Sequence, residues 1–452
     1  MHWRERNSRL QLKRKPERKG PRPWRRLIFL AGLAVLVWLG FKYGPALWAL
    51  ARSAGRPAEA VKPEIVVVTK KKPVSAPEEE LDKKHLADII GDKQFQPDEI
   101  HSFKIKDEAG NYLYVRTTLE PGLQAWALKF LPQTIAVASA LVAMDPRTGE
   151  VLCLASHRSD GRPVNVALSG SLPAASLFKI VTAAAAVEKK DLKSSSTLAY
   201  DGRKHTLYKK QLDKNIKDGQ HQVTLKEGFA DSINTVFGKL GAFTLGRKEL
   251  EAFARKFHFN QPIEFELPVQ KSQFAAPDQD DPYRLAELAS GFNRTTTVSP
   301  LHGAMLASAI VNDGRLMEPT VVREVFDLDN HIFYRHEPVS LGQVVSTATV
   351  QELQKMMRAT VTEGTGRRNF GDAGRHPILK RLDLGGKSGS INDDDGRRVD
   401  WFVGFARRSA EAETLALAAV VVHGEKLGLR SQEIVREAVL QYFRPRMKED
   451  KS

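Results

Sequence analysis

Cysteine is almost missing from this chain. One residue, Cys153, in 452 excludes an intrachain disulfide and any cysteine-based zinc site. Acidic residues are the minority, 54 Asp+Glu against 69 Lys+Arg, which gives a net charge of +15. No self-similar period of solenoid length is present. Gly385-Gly-Lys-Ser388 has no glycine where a phosphate loop places its first one, so the P-loop spacing fails. Zipper heptads, Cys/His ligand pairs and a helix-turn-helix pattern are also missing downstream of the basic N-terminus, and no nucleic-acid partner is expected. What remains is a chain that is 42% hydrophobic, enough to bury one large core or two ordinary ones.

The positive charge is concentrated. Residues 1–26 carry eleven Lys/Arg against Glu5 and Glu17, a net +9, and the remaining 426 residues hold only +6. Directly after this tail, Leu27 to Phe41 is an uncharged run of fifteen. As a helix it spans ~22 Å, short of a ~30 Å hydrocarbon core. The apolar character resumes from Tyr43 to Ala51, with Lys42 able to snorkel and Trp24, Trp38, Tyr43 and Trp48 suited to interfaces. A buried core helix and a cleaved secretory signal are competing readings. The expectation adopted is an uncleaved signal anchor over residues 27–51, with a cytoplasmic tail at 1–26 and everything beyond outside the cytoplasm.

Residues 52–111 read as a linker and small N-terminal region, with Pro57, Pro63, Pro73 and Pro77 and the opposed runs Lys70–Lys72 and Glu78–Glu80. From 112 the chain is globular, to about 445, and 446–452 is a charged C-terminal tail. Tyr112 to Thr118 alternates as a strand, and Pro121 opens a helix. Ile135 to Met144 and Glu150 to Ala155 form a hairpin across Asp145–Gly149, with Cys153 as a small buried hydrophobe. Trp401 to Ala406 and Thr414 to His423 are two further strands, and Ser431 to Phe443 is a closing helix. Strands at both ends with helical pattern between them indicate an α/β domain: an antiparallel sheet flanked by helices, with an inserted all-helical lobe.

Among 25 serines only Ser176 has a lysine three residues on. In a helix this spacing puts the hydroxyl and the amine of Lys179 on one face, one turn apart. A serine near a helix start has a free backbone N–H that can stabilise an oxyanion. The lysine can accept a proton only if burial or a second cation lowers its pKa. Alone, the pair reads equally as a chance match with a solvated lysine. Two more elements follow. Asp231-Ser-Ile-Asn234 places Ser232 53 residues past Lys179; alone it reads as a helix cap. Lys387-Ser-Gly-Ser390 comes 153 residues past Asn234. The order Ser-x-x-Lys, Ser-x-Asn, Lys-Ser-Gly-Ser is the set of the penicilloyl-serine transferases.

On these residues the chain, from about Tyr112 to Tyr442, resembles the transpeptidase domain of penicillin-binding proteins, a serine β-lactamase/transpeptidase-like fold. Met144 to Leu152, Val298-Ser-Pro-Leu301, Gly364-Thr-Gly366 and Asp400-Trp-Phe-Val-Gly404 fall in the same order. The resemblance implies that Ser176 is the acylated nucleophile and Lys179 its proton acceptor. Ser232 would relay a proton to the leaving amine, and Asn234 would bind the acyl side-chain amide. Lys387 would lower the pKa of Lys179 and, with Ser388 and Ser390 across Gly389, hold the terminal carboxylate. The backbone N–H groups of Ser176 and Ser390 would form the oxyanion hole. The family often carries threonines where Ser388 and Ser390 stand. The implied substrates are peptidoglycan stem peptides ending in D-Ala-D-Ala, and β-lactam antibiotics would trap the acyl-enzyme. No cofactor and no metal are implied. The partners implied are the membrane and other cell-wall synthesis proteins.

No asparagine has a glutamate four residues before it, unlike a class A β-lactamase. The sixty residues between anchor and domain are too few for a glycosyltransferase module of about two hundred residues. The expectation is therefore a short, monofunctional transpeptidase, with a D,D-carboxypeptidase or a non-catalytic penicillin-binding scaffold or sensor as alternatives.

Overall fold

In the computed structural model the described residues are 81–91, 101–107, 110–162, 165–212, 221–277, 281–408 and 413–449. The basic tail, the expected anchor at 27–51, all of 52–80 and the last three residues lie outside them. Among the described residues no helix is long and apolar enough to cross a membrane.

After a short helix, Lys83–Ile90, capped by Asp82, come β1 (Ser102–Lys106) and β2 (Tyr112–Thr117), paired antiparallel. Pro121 occupies the first turn of the helix Pro121–Phe130, where its missing N–H goes unneeded, and Glu120 caps that helix. β3 (Ala136–Met144) and β4 (Val151–Arg158) form the expected hairpin. Its turn depends on Gly149, at φ 81°, where a Cβ would lie 2.0 Å from the Glu318 carbonyl oxygen.

The segment between β4 and the late strands is largely helical, with the helices Lys179–Lys190, Leu225–Ala230, Asn234–Lys239, Gly246–Lys256, Pro282–Ser290, Pro300–Val311 and Thr347–Thr362. It is not all-helical. β5 (Thr197–Tyr200) pairs with β6 (His221–Thr224), β7 (Arg315–Met317) pairs with β10 (Ser340–Gln343), and β8 (Val322–Phe326) with β9 (Ile332–Arg335) extends the β1-β2 sheet. These strands run three to five residues, too short to show a two-residue alternation against a helical background.

β11 (Asp383–Asn392), β12 (Arg398–Arg407) and β13 (Thr414–His423) complete a five-stranded antiparallel sheet in the order β11-β12-β13-β3-β4. Residues of β13 alternate strictly between its faces. Leu415, Leu417, Ala419 and Val421 pack with Ile434, Ala438 and Phe443 of the closing helix, Ser431–Glu449. Ala416, Ala418, Val420 and Val422 pack with the all-buried helix Pro300–Val311. Each fully buried Leu, Val or Phe on these faces contributes roughly 1.5–3 kcal/mol of transfer free energy. Cys153 is free and fully buried, as a small hydrophobe. The described residues thus form an α/β fold, with antiparallel sheets flanked by helices. β11 is the edge strand, and its open side faces the start of the Lys179 helix.

Candidate active site

Ser176 sits on a 3-10 turn, Ala175–Phe178, that runs straight into the helix beginning at Lys179. The sequence pattern predicts a regular helix here; the tighter turn is forced by Ala175, which has a left-handed φ of 50°. The turn is clamped from three sides. Trp401 Nε1 donates to the Pro173 carbonyl at 2.9 Å. Gly291, at φ 68°, lies so close that a Cβ there would be 1.8 Å from the Ala175 carbonyl oxygen. A Cβ on Gly389 would lie 3.2 Å from the Ser176 nitrogen and 3.4 Å from that of Leu177. Glycine at 291 and 389 lets two backbones close on Ser176.

Lys179 is fully buried, which rules out a solvated helix residue. Its Nζ lies 2.8 Å from Ser176 Oγ, 2.8 Å from Asn234 Oδ1 and 2.6 Å from the Ser290 carbonyl oxygen. Asn234 is fixed in this orientation because its Nδ2 donates to the His205 carbonyl at 2.9 Å. Burial, and then the nearby Lys387 cation, push the Lys179 amine well below the ordinary lysine range. A neutral amine has two hydrogens and one lone pair. The Asn234 and Ser290 oxygens can only accept, so they take the hydrogens, and the lone pair is left to face the Ser176 hydroxyl.

Ser232 is not a helix cap. The helix starts at Asn234 with Ile233 at the N-cap position, and Ser232 has a left-handed φ of 57°. That turn aims its hydroxyl at Lys387, whose Nζ donates to Ser232 Oγ and to the Ser388 carbonyl, both at 2.9 Å. Lys387 is also fully buried, and burial brings its pKa down to about 7 despite the opposing pull of Asp231. Phe237 and Phe229 lie under the two ammonium positions, with ring centroids 5.7 Å and 5.3 Å away.

Ser176, Ser232, Asn234, Ser388, Gly389 and Ser390 all line one cleft of about 500 Å³, with Lys179 and Lys387 beneath it. The three sequence elements are therefore brought together. Three further contributors were not among the expected site residues. Thr365 Oγ1 lies 2.6 Å from Ser388 Oγ, on a Gly-Thr-Gly turn that packs against Ala230 just before the Ser232 loop. Ser290 and His205 act through backbone carbonyls, for which no side-chain pattern exists. Thr365 alone had a signal, its flanking glycines. Outside the cleft, Asp327, Asp329 and His331 cluster in an exposed β8–β9 turn, where Asp327 accepts from the turn's own N–H groups.

The sequence profile for the penicillin-binding protein transpeptidase domain matches residues 139–441. Stage V sporulation protein D of Bacillus subtilis is 27% identical over 312 residues, covering 65% of this chain and 46% of that protein. Penicillin-binding protein 3 of the same organism is 23% identical, covering 68% and 47%. The chain thus spans about half the length of these two relatives. Peptidoglycan D,D-transpeptidase PbpA of Mycolicibacterium smegmatis is 26% identical, covering 69% of this chain and 67% of that one. Among solved structures, the D,D-transpeptidase domain of a peptidoglycan glycosyltransferase from Eggerthella lenta superposes with a TM-score of 0.61 at 25% identity, over 76% of this chain and 96% of that one.

Proposed function

This chain belongs to the penicillin-binding protein transpeptidase domain family, and from that premise we propose that it is a peptidoglycan D,D-transpeptidase that works through a serine acyl-enzyme on stem peptides ending in D-Ala-D-Ala. The observation that carries the reading is the buried Lys179 amine, 2.8 Å from Ser176 Oγ with its other two contacts made to acceptors only. The PbpA relative, named for the same activity, supports it.

In this reading neutral Lys179 takes the Ser176 proton as Oγ bonds to the penultimate D-Ala carbonyl carbon. The oxyanion is held by the backbone N–H groups of Ser176 and Ser390. The carbon–nitrogen bond to the last D-Ala then breaks, and its nitrogen takes, through Ser232, the proton that Lys179 gained from Ser176, which leaves Lys179 neutral again. The relay fits the bond from Lys387 Nζ to Ser232 Oγ, which orients that hydroxyl. The amine of a second stem peptide attacks the ester carbon and gives its proton to Lys179, which passes it to Ser176 Oγ as the carbon–oxygen bond breaks, so the free hydroxyl and the neutral amine are both restored. β-Lactams enter by the same first step, and their tethered leaving group stays in the cleft. The basic tail and apolar run at 1–51 support a single-pass inner-membrane anchor with the catalytic domain outside the cytoplasm, where other cell-wall synthesis proteins would be its partners.

Labelling with a fluorescent penicillin tests the nucleophile. Wild type should label and Ser176→Ala should not. An unlabelled wild type, or a labelled mutant, overturns the assignment. Muropeptide analysis of a deletion strain then separates transfer from hydrolysis: lost cross-links support the transpeptidase, and accumulated pentapeptides without lost cross-links the carboxypeptidase.

A further inference from the structure

The charge at the far end of the cleft is not used by this chemistry. Ser388, Ser390 and Asn392 alternate onto one face of β11, and the register sets Ser390 opposite Asp400 and Asn392 opposite Arg398 on β12. Arg398 is thus the diagonal neighbour of Ser390 on that face, within reach of a long side chain. Both residues line the cleft that holds Ser176.

The surrounding cations are matched. Asp400, almost fully buried, accepts from Arg430 Nε and Nη2 at 2.9 Å and from the Ser431 N–H and hydroxyl at 3.1 Å. Arg397 is paired with Asp393 and Asp395, and Arg294 with Asp394. Arg398 has no carboxylate partner among the described residues, and its Nε is buried without a hydrogen bond. Fully buried His423, beside it in the field of Asp400 and Arg430, has both ring nitrogens unpartnered, and burial keeps the ring below the usual histidine range. An unpaired guanidinium beside a neutral imidazole leaves a net positive end to the cleft. Lys387 does not serve that end: it is fully buried, and its Nζ is committed to Ser232 Oγ and the Ser388 carbonyl.

We propose that Arg398 is a specificity-determining residue, supplying the formal charge that recognises the terminal carboxylate of the substrate as it rests on the Ser388 and Ser390 hydroxyls. This rests on the serine acyl-enzyme reading above. The planar guanidinium fork matches the two oxygens of a carboxylate, which the single Lys387 nitrogen, bonded to Ser232 and Ser388, does not.

Two probes on the full-length chain test it: a penicillin with its free carboxylate, and the methyl ester of the same penicillin. Arg398→Ala should slow acylation by the free acid about ten- to hundredfold, the range of one charge-assisted hydrogen bond, and leave the ester rate unchanged. Arg398→Lys should recover part of the loss, since it keeps the charge and loses the fork. An equal loss on both probes makes Arg398 a structural residue of the hairpin, and no loss on either removes it from recognition; each result overturns the proposal. A wild type that neither probe acylates removes the serine reading itself, a result distinct from both.

Discussion

The face of the sheet under the closing helix and the face under Ser176 are both buried, with different contents. On the first, Leu415, Leu417, Ala419 and Val421 meet Ile434, Ala438 and Phe443, and the polar groups are small or marginal: buried Ser139 opposite Val421, and Asp400, which accepts from the Ser431 N–H at the helix start. On the second, Trp401, Val403 and Phe405 are interleaved with Lys387 on the neighbouring strand and Lys179 opposite, both fully buried. A buried ammonium costs stability unless it is neutralised or fully bonded. One face therefore holds the domain together, and the other uses part of that stability to keep two buried amines below the ordinary lysine range.

The comparison breaks most visibly through a cavity. Leu417→Ala on the helix-facing side removes a fully buried side chain and should cost ~2–5 kcal/mol of unfolding free energy. The acylation rate per folded molecule should not change. Denaturant unfolding alongside penicillin labelling reads both; a mutant with lost stability and equally lost acylation would show that the faces are not separable.

The opposite signs are expected from Lys387→Met. The folded chain holds this lysine at about 7 against an ordinary 10.5, so from about 10.5 down to about 7 the unfolded chain binds a proton that the folded chain does not. Stability therefore rises with pH across that window, and the burial penalty is greatest at its lower end and below. Methionine removes the penalty, so Tm should rise, most at pH 7 and below, and the advantage should shrink towards pH 10.5. Acylation should fall steeply, because Ser232 loses its donor and Lys179 its cationic neighbour. A lowered Tm at pH 7 would mean that the bonds to Ser232 and Ser388 outweigh the burial cost.

The difference between the faces also explains what could be read from the sequence. β3, β4, β12 and β13 read as largely apolar runs because both faces of the sheet are buried, and packing specifies them and the closing helix. β11 does not: Gly385-Gly-Lys-Ser-Gly389 has little strand propensity, and it registers as a motif rather than a strand. Its glycines are required by neighbours far away in sequence, since a Cβ on Gly385 would lie 2.4 Å from the Phe405 ring and one on Gly386 2.3 Å from that of Phe402. Ser176, Lys179, Ser232, Asn234 and Lys387 were legible because their spacing is itself the signal. The Ser290 and His205 carbonyls and the unpaired state of Arg398 were not, since each depends on where a distant backbone or a missing carboxylate falls.

A smaller effect is expected where β11 touches the nucleophile turn. Gly389→Ala would put a methyl 3.2 Å from the Ser176 nitrogen, tighter than ordinary contact. A displacement of a few tenths of an ångström there should lower the acylation rate by roughly tenfold with little change in stability, because positioning, not burial, is lost. Normal kinetics in this variant would show that the turn and the edge strand are not closely matched.

The subtlest test concerns the coupling between the two lysines. Acylation requires neutral Lys179, so its rate should fall as pH drops through the pKa of that amine. Lys387 adds a repulsive cation that lowers this pKa, which places the limb at lower pH than burial alone would. Removing the charge in Lys387→Ala should therefore move the limb towards higher pH, so the mutant's deficit is greater at about pH 6 than at about pH 9. Lys387 itself titrates near 7, so its influence in the wild type fades as pH rises, and the two profiles should converge in shape on the alkaline side. Lys387→Arg keeps the charge with altered geometry. It should hold the limb near its wild-type position while lowering the plateau, which separates the electrostatic contribution from the bond to Ser232. A deficit in Lys387→Ala that is the same at every pH would assign Lys387 to positioning alone.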